Sequence, residues 1–130
     1  MPSVQRACED ACRYRDGLAE TADRVAAELG LPRREIAWQS AGRTDDPWWG
    51  PPIEEVLADL APQGCTAAVV CSAGFVADHL EILYDLDIEA RAIADQAGMR
   101  LVRTEMPNAD PAFVRVLADV VRERLAAPTP

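Results

Sequence analysis

Residues 67–97 read AAVVCSAGFVADHLEILYDLDIEARAIADQA, and this stretch sets the expectation for the rest of the chain. Ala67 to Cys71 is short and apolar, and Ser72-Ala73-Gly74 breaks it. A run of that length bounded by turn residues reads as a strand. A long amphipathic helix is expected from about Val76, with Leu80, Leu83 and Leu86 packed inward and Ile82 a further candidate. Gly98 follows as its C-terminal stop. Crowded acidic residues begin just past the strand's carboxyl end, where ligands sit in open α/β sheets.

Those acidic residues are Asp78, Glu81, Asp85, Asp87 and Glu89, and His79, the single histidine, lies among them. Glu81, Asp85 and Glu89 are spaced by four, so on a helix they form one stripe. Like charges at that spacing repel by a few tenths of a kcal/mol per pair. The stripe has no lysine, and its nearest arginine is Arg91. Two readings stand: a solvated face in an acidic chain, or a ligand-binding face. Asp78 sits at the expected helix start, where N-capping accounts for it. A lone histidine is more often structural than a ligand.

Working outward, Gln5 to Leu29 is helical in pattern, with Leu18, Ala22, Val25 and Leu29 in phase and Gly30 as a cap. Glu35 to Gln39 is a short strand candidate. The segment from Ser40 to Pro52, SAGRTDDPWWGPP, is a loop by composition. Trp48 and Trp49 within it form either a lid packed on the domain or an apolar wall for a flat ligand. Pro51-Pro52 opens a helix from Ile53 to Leu60, with Val56, Leu57 and Leu60 inward. Met99 to Arg103 is a third strand candidate. Asn108 or Asp110 caps a last helix from about Ala112 to Leu125. Its expected buried face is Phe113, Val116, Leu117, Val120, Val121 and Leu125.

This alternation predicts an α/β fold in three layers, a parallel sheet with helices on both faces. The 130 residues suffice for one domain, residues 1–130. Three strands are few for such a sheet and the chain starts on a helix; both facts suggest a missing preceding strand, an unusual dimer, or a fragment of something longer. A net charge of -9 argues against nucleic acid or an anionic membrane as partner. No run of 18 apolar residues exists and no signal peptide is visible, so a cytoplasmic location is expected. Cys8, Cys12, Cys65 and Cys71 lack C-x2-C spacing, and Cys71 reads as a core residue.

These residues carry a resemblance. Phe75, Asp78-His79, Glu81, Leu83, Leu86-Asp87 and Glu89 resemble the signature of the ferrochelatase family. Trp38-Gln39-Ser40 resembles its aromatic-Gln-Ser segment, Pro47-Trp48-Trp49-Gly50-Pro51 its Pro-Trp-Leu-x-Pro loop, and Asn108-x-x-Pro111-x-Phe113 the segment before its final helix. The match looks closest to the actinobacterial type, which is similar to coproporphyrin ferrochelatases. Three positions depart from the pattern: Ser72 stands for a proline, Ala41 for Arg or Lys, and Trp49 for Leu.

The resemblance implies a chelatase-like half-domain, the second of two similar α/β domains with a porphyrin cleft between them. The N-terminal domain is expected to be absent, and so is the His-Ser-(Leu/Val/Ile)-Pro segment, upstream of the first helix, that carries the family's catalytic histidine. His79 matches the Asp-His-x-Glu histidine instead. The implied activity is a lyase reaction of heme biosynthesis, insertion of ferrous iron into coproporphyrin III. Fe2+ enters as substrate, and Glu81 is the implied catalytic carboxylate and metal contact. Asp85 and Glu89 extend the metal line, with about 6 Å per helical step. Trp38, Ser40, Trp48 and Trp49 border the implied cleft, and Asp78 and His79 have orienting or structural roles. Some members hold a [2Fe-2S] cluster with ligands near the C-terminus. With no cysteine after Cys71, none is expected here. Expected partners are the porphyrin, Fe2+, and either the missing domain or a second copy. The alternatives are a non-catalytic remnant that binds porphyrin or metal, and a dimeric one-domain chelatase.

Overall fold

A computed structural model describes residues 13–31, 33–40, 45 and 47–126. Helix α1 spans Tyr14–Glu28 and α2 spans Ile53–Leu60, followed by a short turn of 3-10 helix, Ala61–Gln63. Strand β1 is Ala67–Val70. A loop then leads to α3, Leu80–Tyr84, a π-helical turn, Asp85–Ala90, and α4, Arg91–Gln96, which together form one continuous helical rod. Strand β2 is Arg100–Arg103, and α5 is Pro111–Ala126.

The sheet differs from the one the sequence predicts. Among the described residues it has two strands, β1 and β2, parallel and in register from Ala67 opposite Arg100 to Val70 opposite Arg103. The expected third strand, Glu35 to Gln39, does not join it. Trp38 spends its backbone bonds on the chain before α2 instead: its N–H donates to Pro51 O and the Ile53 N–H donates to Trp38 O, both at 2.9 Å. That isolated bridge ties the segment to the start of α2.

Among the described residues, helices on both faces are not found either. The face of β1 and β2 that carries Ala68, Val70 and Leu101 meets α2 and the helical rod. The core there is Ile53, Leu57, Ile82, Leu86, Ala90, Ala94, Met99, Leu101 and Met106. On the opposite face Val69, opposite Val102, is 73% exposed. Helix α5 packs on no other described element, and Val116, Leu117, Val120, Val121 and Leu125 are all exposed. An amphipathic pattern marks a face that can be buried; a second surface must cover it, and none of the described elements does.

The rod also corrects the expected inward face. Ile82, Leu86, Ala90 and Ala94 are buried, whereas Leu80 and Leu83 are exposed. The buried positions recur every four residues. An α-helix turns once per 3.6 residues, so that spacing drifts by about 40° per step. The wider turn at Asp85–Ala90 takes up the drift and keeps the strip facing the sheet. The rod ends as expected. Gly98 has φ 69°, its N–H donates to Asp95 O at 3.1 Å, and the Met99 N–H donates to Ala94 O at 2.8 Å. This is a Schellman closure, which needs a left-handed residue at Gly98. Helix α1 starts at Tyr14 within the described residues, and the rest of its expected span, from Gln5, lies outside them.

Candidate functional site

The acidic residues are placed by the loop that leaves β1 and by the rod that follows. Helix α3 begins at Leu80 rather than near Val76, with His79 as the extended residue before it. Glu81 lies in the first turn of α3, exposed, with no side-chain hydrogen bond among the described residues. Asp85 opens the π turn and is half-buried, and Glu89 is exposed within it. Each of the three precedes a buried residue by one: Ile82, Leu86 and Ala90. The turn that aligns the buried strip therefore also keeps these carboxylates along its flank. They do not converge on one point, since no group of three or more His, Cys, Asp or Glu side chains among the described residues could hold a metal ion together.

Asp85 is tied across the chain. The Ser40 hydroxyl donates to Asp85 Oδ2, and Gln39 Nε2 donates to Ser40 Oγ at 3.4 Å. Ser40 takes φ 61°, a left-handed backbone unusual for serine. Gln39 is buried beside it. The Trp38-Gln39-Ser40 segment and the acidic strip thus lie together. The Trp38 ring is 3% exposed. Trp48 and Trp49 are half-buried, and the Arg15 guanidinium lies 3.7 Å from the Trp49 ring centre, a cation–π contact with α1.

His79 packs edge-on against Phe75, with ring centres 4.4 Å apart, and its Nε2 is buried without a hydrogen-bond partner. Ser72 Oγ is likewise buried and unpartnered. Asp78 does not cap α3. Its carboxylate accepts from Arg103 Nη1 at 3.0 Å and from Asn108 Nδ2 at 2.9 Å. These bonds hold the Asp78 carboxyl below its ordinary value of 3.8, with Asn108 the larger influence and Arg103 next in attraction. Arg103 in turn forks onto Asp87, which raises the guanidinium pKa further.

Arg103 carries no role in the reading of the sequence, and Asn108 enters it only as a cap candidate for the last helix and as part of the segment before that helix. One signal for Arg103 was present: it shares the phase of Leu101 on β2, so an arginine occupies a core-facing register. The loop from Thr104 to Asp110 divides its work. Asn108 serves Asp78, while Asp110 Oδ1 caps α5 by accepting from the Ala112 and Phe113 N–H groups at 2.7 and 3.3 Å. A cavity of about 850 Å3 opens beside β2, lined by Asp87, Arg91, Arg100 and Arg103 among others, and none of Glu81, Asp85 and Glu89 borders it. Cys71, expected in the core, is exposed, and Cys65 is half-buried; both are free thiols. Cys8 and Cys12 lie outside the described residues. No helix among the described residues is long and apolar enough to cross a membrane.

Residues 2–125 match the ferrochelatase family model. The chain is 46% identical over 114 residues to the coproporphyrin III ferrochelatase of Geobacillus thermodenitrificans, covering 87% of this chain and 36% of that protein. It is 47% identical over 108 residues to the ferrochelatase of Thermus thermophilus, covering 83% of this chain and 34% of that protein. It is 47% identical over 115 residues to the ferrochelatase of Deinococcus radiodurans, covering 87% and 36%. The chain thus spans about a third of the length of the curated relatives it matches. None of these three is actinobacterial, so the expected actinobacterial affinity finds no support in them.

Proposed function

The chain belongs to the ferrochelatase family, and on that premise we propose that it supplies the acidic half of a site inserting ferrous iron into coproporphyrin III. The similarity to coproporphyrin III ferrochelatases over most of this chain supports that substrate. The observation that carries the reading is the strip itself: Glu81 exposed at the start of α3, with Asp85 and Glu89 in line behind it.

Insertion exchanges two pyrrole N–H protons for one Fe2+, with no change of oxidation state. It needs a base and a route for a partly hydrated cation. The Glu81 carboxylate accepts a pyrrole proton or contacts Fe2+ through a hard oxygen. Asp85 and Glu89 offer single-carboxylate contacts along the helix, which favour passage over trapping because they do not form a closed ligand set. Ser40 holds Asp85 by a hydrogen bond. Trp48 and Trp49 border the porphyrin side, and Asp78 and His79 shape the entry to α3.

The chain alone is proposed to be half of a cleft. Val69 and the apolar side of α5 are uncovered, which supports a partner surface, either the portion that the longer relatives have or a second copy. The test is a titration of the purified chain with coproporphyrin III, followed by absorbance and fluorescence, with Fe2+ then added anaerobically. Binding without insertion is expected. Absence of any binding contradicts the porphyrin reading. Steady insertion by the chain alone contradicts the half-cleft.

A further inference from the structure

Arg103 occupies a place where the strand pattern asks for an apolar residue. Strand β2 alternates, and Leu101 on the same face is buried in the core. Two residues on, the Arg103 side chain is only 14% exposed. A guanidinium does not lose its proton, so a shielded one must be matched by carboxylates.

Two carboxylates match it. Nε and Nη2 donate to Oδ1 and Oδ2 of Asp87, both at 2.9 Å, in the fork geometry that only arginine offers. Nη1 donates to Asp78 Oδ1 at 3.0 Å and to the Thr104 carbonyl at 3.3 Å. Asp78 and Asp87 bracket the segment that carries His79, Glu81 and Asp85. Asp78 precedes α3, and Asp87 lies inside the π turn. One guanidinium at the end of β2 therefore fastens both ends of that segment to the sheet.

We propose that Arg103 is a positioning residue for Glu81 and Asp85: it holds the entry to α3 and the π turn against β2, and so fixes the spacing and direction of the two carboxylates. This role rests on reading those carboxylates as metal contacts. Two effects of removing Arg103 have opposite signs. Arg103 is a positive charge near a cation path, so by Coulomb's law its loss tightens cation binding. If it acts by position, its loss weakens binding, as disruption of the groups that orient metal ligands does by about tenfold or more.

The experiment titrates the 130-residue chain with Mn2+, an oxygen-seeking ion stable in air, and follows broadening of the backbone amide signals of residues 79–89. Arg103→Met and Arg103→Lys are compared with the parent. The expected result is about tenfold weaker binding in Arg103→Met and an intermediate loss in Arg103→Lys, which keeps the charge but not the fork. Unchanged or tighter binding in a folded Arg103→Met chain overturns the proposal. Amide hydrogen exchange provides the second readout. Faster exchange confined to residues 79–89 supports positioning, and a uniform loss over β1, α2 and the rod overturns it. If the parent shows no Mn2+ broadening near Glu81, the metal reading of the site fails, and the exchange comparison still decides whether Arg103 holds the segment.

Discussion

Asp78 and Asn108 hold each other in both directions. The Asp78 backbone N–H donates to Asn108 Oδ1 at 2.8 Å, and Asn108 Nδ2 donates to Asp78 Oδ2 at 2.9 Å. Asn108 reaches this position with φ 48°, a left-handed conformation that asparagine tolerates better than most residues. The pair locks the loop before α3 to the loop after β2. A carboxyl whose pKa is depressed on folding adds stability above its unfolded pKa and loses it as pH falls through the folded one. Asp78 is such a group. Carbon NMR of the Asp78 carboxyl is expected to show a midpoint below 3.8, moving upward in Asn108→Ala. No upward movement would contradict the pairing.

Ser40 combines a hydrogen bond to Asp85 with a left-handed backbone. Ser40→Ala removes the bond and keeps the backbone cost, so a loss of about 1 kcal/mol is expected in urea unfolding. Ser40→Gly also removes the bond but adopts that backbone freely, so it is expected to cost less. An unchanged stability in Ser40→Ala would show that the hydroxyl does not hold this turn, and a glycine variant less stable than the alanine one would contradict the left-handed backbone at Ser40.

Leu86 is buried on the strip that joins the rod to α2 and the sheet. Leu86→Ala is expected to cost about 2–5 kcal/mol, a large share of the stability of a domain this size. Leu83, exposed on the same rod, is the control: Leu83→Ala is expected to lie within about 0.5 kcal/mol of the parent. Equal losses would mean that the four-residue strip is not the packing face.

Helix α5 presents Val116, Leu117, Val120 and Val121 to solvent. In the chain by itself Val120→Asp is therefore expected to change thermal stability by no more than about 0.5 kcal/mol. It should also reduce binding of an apolar dye such as ANS. A large destabilisation would show that this face is covered in solution, and sedimentation would then tell whether a second copy covers it.

The strands β1 and β2, the span of α2 and the Gly98 stop are legible in the sequence through local pattern and turn chemistry, and of the two cap candidates for α5, Asn108 and Asp110, the structure selects Asp110. What was not legible depends on distant partners. The segment from Glu35 to Gln39 has strand composition, but the backbone bonds of Trp38 go to Pro51 and Ile53. Of the positions read as inward, Leu86 and the further candidate Ile82 are buried while Leu80 and Leu83 are exposed, and the π turn brings Ala90 into the buried strip, which the sequence reading did not name. The apolar positions of α5 read as buried because an amphipathic pattern does not reveal whether a covering surface is present. At the site, the acidic strip was legible from its spacing. Arg103 and Asn108 were not, because their carboxylate partners lie 16 and 30 residues away in sequence.

Glu81 is the residue proposed to act on the porphyrin protons or the entering iron. The most direct measurement replaces the matching stretch of the Geobacillus thermodenitrificans coproporphyrin III ferrochelatase with residues 2–125 of this chain. Anaerobic Fe2+ insertion into coproporphyrin III is then followed by loss of porphyrin fluorescence, with Glu81 and with Glu81→Gln. Insertion with Glu81 and a fall of about 100-fold or more with glutamine are expected, porphyrin affinity being unchanged. Equal insertion rates in the two chimeras would contradict that role for Glu81.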